Sequence, residues 1–169
     1  MKKIFFISIL FLTIFSVSYA QKEKYQSLFI YNFTKYIKWP DSYHADKFVI
    51  GVIGNSTVLE SLNAMAESKK KTGTGQSLEI KKYGSIGEIG DCNILFVSEN
   101  IVDNLSQIEN QTSSKPILIV SDSPGMANKG SVINFVEQDG KIKFELNESQ
   151  AVKRQLVVSS SLTSLAIII

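Results

Sequence analysis

The chain has 169 residues, 44% of them hydrophobic and 20% charged, which suffices for one compact domain with a single core. Its one cysteine excludes an internal disulfide framework, so the fold depends on noncovalent packing. A formal net charge of +2 and a single arginine exclude the strongly basic surface typical of nucleic-acid-binding proteins.

The first twenty residues have the pattern of a secretory signal. Two lysines precede an apolar run over residues 4–17, and the small residues Ser18 and Ala20 occupy the positions that signal peptidase reads, so cleavage is predicted before Gln21. The alternative is a retained membrane anchor, but the apolar run is shorter than the roughly 20 residues of a spanning helix. We therefore predict a periplasmic protein whose mature part, residues 21–169, is a single domain.

The mature domain is formally neutral, because removal of the signal leaves 16 basic and 16 acidic residues. Two basic clusters, Lys69-Lys70-Lys71 and Lys81-Lys82, stand beside turn residues. We interpret them as solvated loop charges rather than as a binding patch.

The sequence pattern in the first part of the domain predicts a helix, a strand and a second helix. Apolar and aromatic residues recur at helical spacing from Lys24, and the pattern halts before Pro40, so this helix should end at or just before Trp39. Residues 48–54 form an apolar run typical of a strand buried on both faces. The polar residues that follow can cap a helix over residues 58–66.

Strands and helices continue to alternate in the middle of the chain. Strands are predicted over residues 77–82, 93–98 and 117–120, with a weakly helical connection over 84–90 and a helix around 101–108. This alternation implies a three-layer α/β/α sandwich, with a mostly parallel sheet and helices on both of its faces.

A hairpin and two short helices complete the predicted fold. Two alternating segments, 131–136 and 141–146, flank a turn that contains Asp139-Gly140, a pair that tolerates the positive φ of tight hairpins. The hairpin should add an antiparallel pair at one edge of the sheet. Short helices are predicted over residues 148–155 and, after a run of capping serines, over the apolar residues 162–169.

No set of residues carries a catalytic or metal-binding signature. Cys92 heads an apolar run and has no neighbour in sequence that would lower its pKa, so we predict a buried small hydrophobe. His44 is the only histidine and lies in a polar loop between Asp41 and Asp46, whereas a zinc site needs three or four ligands. A weak carboxylate site is the alternative there, and we predict no metal and no cofactor.

The C-terminal ends of the parallel strands offer one candidate small-ligand site. Gly54 and Asn55 follow one strand, Ser121 and Asp122 follow another, and open α/β sheets bind ligands at this edge. The segment lacks the spaced glycines of a dinucleotide fingerprint and the Lys-Ser/Thr of a P-loop, which argues against a phosphate cradle. No histidine lies near enough in sequence to activate Ser121, so we predict no enzyme activity.

Seven short motifs follow one another in a characteristic order along the mature chain. They are YNFTKYIKWP at 31–40, IGVIG at 50–54, CNILFV at 92–97, PIL at 116–118, GSVINF at 130–135, FELN at 144–147 and SSL at 160–162. Each is weak alone, but their order and spacing together resemble the YfiR family of exported regulators over almost the whole mature chain.

The resemblance implies an α/β/α periplasmic domain that restrains a membrane-bound diguanylate cyclase by contacting its periplasmic portion. It also implies that an outer-membrane lipoprotein can sequester the domain. The expected function is therefore non-enzymatic control of cyclic di-GMP and biofilm formation, with a sensor kinase as the alternative partner. Gly51 and Asn134 stand where relatives can have cysteine, so redox control by an internal bridge is not expected here.

The resemblance further implies a partner-facing patch at Ile133, Glu145 and Asn147, in the hairpin and its exit. Glu145 stands out, because an acid inside an otherwise apolar strand needs a partner or water. The alternative is that the three residues only shape the hairpin. The aromatic helix and the apolar tail 166–169 are compatible with a homodimer, and small-ligand binding is the alternative function.

Overall fold

A computed structural model of the chain describes residues 21–43 and 46–169. The predicted signal over residues 1–20 and the only histidine lie outside the described residues. The α-helices of the described part are α1 (residues 21–36), α2 (Val58–Lys69), α3 (Leu105–Gln111), α4 (Glu148–Lys153) and α5 (Ser160–Thr163). Its strands are β1 (Ile37–Lys38), β2 (Lys47–Ile53), β3 (Ser77–Tyr83), β4 (Ile94–Val97), β5 (Leu118–Ser121), β6 (Ile133–Gln138), β7 (Lys141–Leu146), β8 (Val157–Val158) and β9 (Ile167–Ile168).

The main sheet of the described residues has the order β3-β2-β4-β5-β6-β7-β9. The first five strands in this order, β3, β2, β4, β5 and β6, pair in parallel with their neighbours, whereas β6 and β7 are antiparallel. Every residue of β4 and β5 is buried, as expected of parallel strands covered on both faces. The predicted strands 48–54, 77–82, 93–98 and 117–120 are confirmed, with small shifts of their ends.

Two hydrophobic clusters cover opposite faces of this sheet. On one face, Phe33 of α1 and Leu62 of α2 belong to the same cluster as Phe96 of β4. On the other face, Ile108 of α3 belongs to a cluster with Leu95 of β4. Neighbouring residues of β4 thus point to opposite faces, which is the period of a strand. The three-layer arrangement is confirmed.

Helix α1 ends earlier than predicted. The helix stops at residue 36, and β1 pairs antiparallel with β8 through Ile37 and Val158 instead of continuing toward Trp39. The backbone N–H of Ser159 also donates to the carbonyl of Tyr36 at 2.9 Å. A longer helix could not pair this carbonyl, because its donor would be the nitrogen of Pro40, which carries no hydrogen, and the distant Ser159 supplies the bond instead.

The hairpin of β6 and β7 is confirmed, with a turn of two residues. Asp139 and Gly140 have φ values of 54° and 68°, and positive φ at both positions is the geometry of a type I′ turn. The first two residues of the predicted segment 131–136 precede the paired strand, which begins at Ile133. The predicted helix after the hairpin is confirmed as α4.

The predicted apolar helix over residues 162–169 is wrong. Ser159 does cap a helix, because its Oγ accepts from the N–H of Leu162 at 3.3 Å, but α5 ends at Thr163. The chain then forms β9, which pairs in parallel with β7, and the N–H of Ile169 donates to the carbonyl of Leu146 at 3.0 Å. The β-branched isoleucines fit this open edge of the sheet better than a helix, so β9 and not the hairpin is the outermost strand.

Candidate partner-binding site

The structure brings together two predicted site residues that lie far apart in sequence. Ser121 at the end of β5 is the register partner of Asn134 in β6, and Asn134 is the register partner of Glu145 in β7. Residues in register on neighbouring strands project from the same face of a sheet. The strand order β5-β6-β7 therefore places the three side chains in one row.

Asn134 connects this row by hydrogen bonds. Its Nδ2 donates to Oε2 of Glu145 at 2.8 Å, and its Oδ1 accepts from Oγ of Ser121 at 2.8 Å and from the N–H of Ser123 at 3.2 Å. The hydroxyls of Ser121 and Ser131 are 2.7 Å apart. Because Ser121 uses its single proton on Asn134, Ser131 must be the donor of that contact.

All donors of this polar network point toward the same end, the carboxylate of Glu145. The direction runs from Ser131 through Ser121 and Asn134, and each of these three residues is fully buried. Aligned hydrogen bonds in a buried setting polarise one another, which strengthens the last bond to the acid. The network therefore fixes the carboxylate in one position.

Glu145 is half-buried and keeps one carboxylate oxygen for other contacts. Asn134 occupies Oε2, whereas no group in the described part of the chain bonds to Oε1. The backbone of Glu145 is held on both sides, by β6 and by Ile167 of β9. A charged acceptor with a fixed position is what a partner carrying a donor or a cation can bind at low entropic cost.

The other two residues of the predicted patch lie differently. Ile133 is fully buried in the core, so its side chain is not at a surface. Asn147 caps α4, because its Oδ1 accepts from the N–H of Gln150 at 3.0 Å, while its Nδ2 donates to the carbonyl of Ala127 at 2.8 Å. In this structure Ile133 and Asn147 support the hairpin and its exit, and Glu145 alone presents a group outward.

The predicted small-ligand residues share the C-terminal edge of the sheet but are engaged by the protein itself. Gly54 has a φ of +89°, and the N–H of Asn55 donates to Oδ1 of Asn100 at 2.9 Å. Asp122 accepts from Nε2 of Gln26 at 3.1 Å. Ligand binding at this edge stays a prediction, and a ligand there would have to replace contacts that now exist.

The first turns of α1 cover this edge. Lys22 lies 3.4 Å from the carboxylate of Asp122, and Glu23 forms a hydrogen bond with Thr57 at the start of α2. Burial raises the pKa of Asp122, although Gln26 and Lys22 act in the opposite direction. The described part of α1 thus occupies the place where related sheet topologies bind ligands.

Asn134 and Ser131 belong to this site, although neither is a predicted site residue. The available signal was a polar amide between the apolar Ile133 and Phe135 of a strand, since a buried amide needs several partners. Those partners, on β5 and β7, were not visible without the strand order.

The remaining chemistry of the described residues is sparse. Burial raises the pKa of the free thiol of Cys92 to about 12, and the side chain is 1% exposed, which confirms the predicted buried hydrophobe. Within residues 21–43 and 46–169, no group of three or more His, Cys, Asp and Glu side chains could hold a metal ion. No helix in these ranges combines the length and the apolar character needed to cross a bilayer.

Comparison with known proteins identifies the family. The family model described as YfiR/HmsC-like matches residues 23–167, whereas no curated protein matches the chain. A similar solved structure is the crystal structure of the ABC domain in complex with L-Trp from Streptococcus pneumonia, with a TM-score of 0.55 and 16% sequence identity. That match covers 72% of this chain but only 54% of the other chain, and it shows the fold alone. Since the family match extends over most of its length, this chain belongs to the YfiR/HmsC-like family.

Proposed function

We propose that this protein is an exported regulator that binds the periplasmic part of a membrane-bound diguanylate cyclase and restrains its activity. The YfiR/HmsC-like family is regulatory rather than catalytic and belongs to diguanylate cyclase signalling, which supports this proposal. A sensor kinase with a periplasmic domain is the alternative partner. An outer-membrane lipoprotein that took up the same surface would release the cyclase and raise cyclic di-GMP.

The observation that carries the proposal is the fixed carboxylate of Glu145. Surface acids are ordinarily mobile and contribute little to binding, because ordering them costs side-chain entropy. Here Asn134 and the two flanking strands have already ordered the group. We infer that the partner supplies a cation or an N–H donor to the open oxygen Oε1.

The first test measures binding of the purified protein to the cyclase ectodomain. Glu145→Lys places a like charge against the partner's donor, so the dissociation constant should rise at least about 30-fold. Glu137→Lys in the same hairpin is the matched control, since Glu137 is exposed and the charge change is identical. That variant should bind like the wild type.

Glu145→Gln separates the support by Asn134 from the contact with the partner. The glutamine oxygen can still accept from Asn134, but an NH2 donor then takes the place of the open oxygen, so a loss of binding in this variant assigns the effect to that oxygen as an anionic acceptor. In cells, the Glu145→Lys variant should also raise cyclic di-GMP. Equal binding by the wild type and both Glu145 variants would remove this residue from the interface, and unchanged cyclic di-GMP after deletion of the whole gene would refute the regulatory role.

A further inference from the structure

Five lysines gather at the C-terminal ends of α1 and α2. The Nζ atoms of Lys35 and Lys69 lie 4.8 and 5.5 Å from the centre of the same Tyr31 ring. Lys38 lines, together with Lys35, a cavity of about 270 Å³ at this end of the domain. Lys70 and Lys71 directly follow α2. We call these five residues, Lys35, Lys38, Lys69, Lys70 and Lys71, the basic patch.

The segment that carries the last lysines is packed onto the end of α1. The N–H of Gly73 donates to Oγ1 of Thr34 at 3.5 Å, and a Cβ at Gly73 would collide with the aliphatic stem of Lys35. The cluster interpreted from the sequence as solvated loop charges is therefore held beside Lys35 at the end of α1. The sequence does not predict this arrangement, because Lys35 and Lys69 lie far apart along the chain.

The basic patch is distinguished by the convergence of its lysines rather than by a lack of ion pairs, because Lys82, Lys129 and Lys141 of the described residues form none either. Several other lysines meet acids closely: Lys47 with Glu79, Lys115 with Asp91 and Lys153 with Glu109, at 2.8, 2.7 and 2.6 Å. In the described part of the chain, no lysine of the basic patch has an ion pair, and all five are exposed. Two acidic residues lie near the patch: Asp41 lines the same cavity, and Glu67 lies in the last turns of α2. The five lysines outnumber these two acids, so positive charge remains in excess.

A stabilising effect on the fold explains only some of the lysines in the basic patch. Cations near the C-terminus of a helix are favourable, which accounts for Lys35 in α1 and Lys69 in α2. Lys38 and Lys71 lie outside the helices, and like charges that converge on one ring repel each other. Because the mature domain is neutral in total, the excess here makes the domain electrically polarised.

We propose that the basic patch docks the domain on the anionic phospholipid headgroups of a bilayer surface. Lysines near such a surface attract it additively, and the patch needs no shaped partner for this. Its charges are ammonium groups on flexible stems, which attract a diffuse anionic surface without needing a fixed bidentate geometry. Tyr36 lies between Lys35 and Lys38 in sequence and is 42% exposed, as suits a ring at the membrane interface.

Docking at the membrane would orient the regulator toward its target. The inference rests on the proposed function only for the biological setting, because a vesicle assay contains no cyclase. If the protein failed to bind vesicles, the proposed function would still stand. If it failed to bind the cyclase, the proposal that the basic patch docks on a membrane would still stand.

The test is flotation of the purified protein with vesicles. Vesicles that contain phosphatidylglycerol should bind it, vesicles of phosphatidylcholine alone should not, and added salt should release it. The triple substitution K69Q/K70Q/K71Q should weaken binding about 100-fold. The control K82Q/K129Q/K141Q removes the same charge from exposed lysines elsewhere and should bind like the wild type.

Three outcomes would overturn the proposal. The first is equal binding to both kinds of vesicle, and the second is equal loss in the two triple variants, which would reflect total charge rather than this patch. The third is that K69Q/K70Q/K71Q impairs binding to the cyclase ectodomain while vesicle binding is unchanged, which would assign the patch to an acidic protein. Thermal unfolding of each variant should stay within a few degrees of the wild type, since every substituted lysine is exposed and only Lys69 contributes at a helix terminus.

Discussion

Asn134 has the highest density of polar contacts in the candidate site, although it is 0% exposed. Its amide receives two hydrogen bonds on Oδ1 and donates one to Glu145. A single buried residue therefore determines the position of the one outward-facing acid of the predicted patch. The partner-facing role of Glu145 stays a prediction, but its support by Asn134 is a property of the fold.

We expect Asn134→Ala to lower the free energy of unfolding by about 2–4 kcal/mol, because Ser121, Ser123 and Glu145 each lose a partner in a buried setting. Chemical denaturation gives this value directly. Asn128→Ala, at an exposed position, is the control and should change stability little. A loss no greater than that of the control would mean that water replaces the amide.

Gly51 carries no side chain because a neighbouring ring fills the space beside its backbone. A Cβ at Gly51 would lie 2.5 Å from Cε2 of Tyr83 and 3.2 Å from Cδ1 of Leu95. The ring of Tyr83, itself 2% exposed, occupies the space that a cysteine would need. Close packing of Tyr83 against the backbone of this strand therefore requires glycine at this position.

The hairpin of β6 and β7 is the element on which the candidate site depends, because it aligns Asn134 with Glu145. Its two-residue turn places Asp139 and Gly140 at positive φ, a twist that matches the twist of the strands. A correct turn therefore sets the register, and a slip by one residue would move Glu145 to the other face of the sheet.

Gly140→Ala should reduce the free energy of unfolding by about 1 kcal/mol, since alanine is disfavoured at positive φ. The cost is conformational, because a Cβ at Gly140 has no atom within 4 Å. Gly87→Ala is a matched control in an equally open position without positive φ. If both substitutions changed the urea midpoint equally, the turn geometry would not be the cause.

The phenols of Tyr43 and Tyr83 and the thiol of Cys92 stay protonated well above neutral pH because the fold shields them from water. Burial raises the pKa of Tyr43 from 10.0 to about 12 and that of Cys92 from 9.0 to about 12, and it also raises the pKa of Tyr83. The hydroxyl of Tyr43 donates to the carbonyl of Cys92 at 3.0 Å, so the two groups belong to one region of the fold. Ionisation of either would place a charge where it is poorly solvated.

We expect the free energy of unfolding to fall as the pH rises from about 9 toward 12. A group whose pKa is higher in the folded state stabilises the fold fully below its ordinary pKa, and the contribution is lost through the folded pKa. Urea unfolding over this range measures the slope. Cys92→Ala and Tyr43→Phe should each make the slope shallower, and slopes identical to the wild type in both variants would contradict this account.

Local patterns in the sequence determined a large part of this protein. The strands, the alternation that implies a parallel sheet, the hairpin turn at Asp139-Gly140 and the burial of Cys92 follow from side-chain period, β-branching and turn chemistry, which act over a few residues. Membership of the regulatory family was likewise readable from short motifs in order.

Only the tertiary structure decided how distant segments meet. The tail after α5 became a strand because β7 offered an open edge, not because of its own apolar pattern. Ser121 and Glu145 share one network because β6 lies between their strands and places Asn134 there. The cluster at Lys69 joins Lys35 because two helices end side by side. Such contacts depend on strand order and layer packing, which local propensity does not encode.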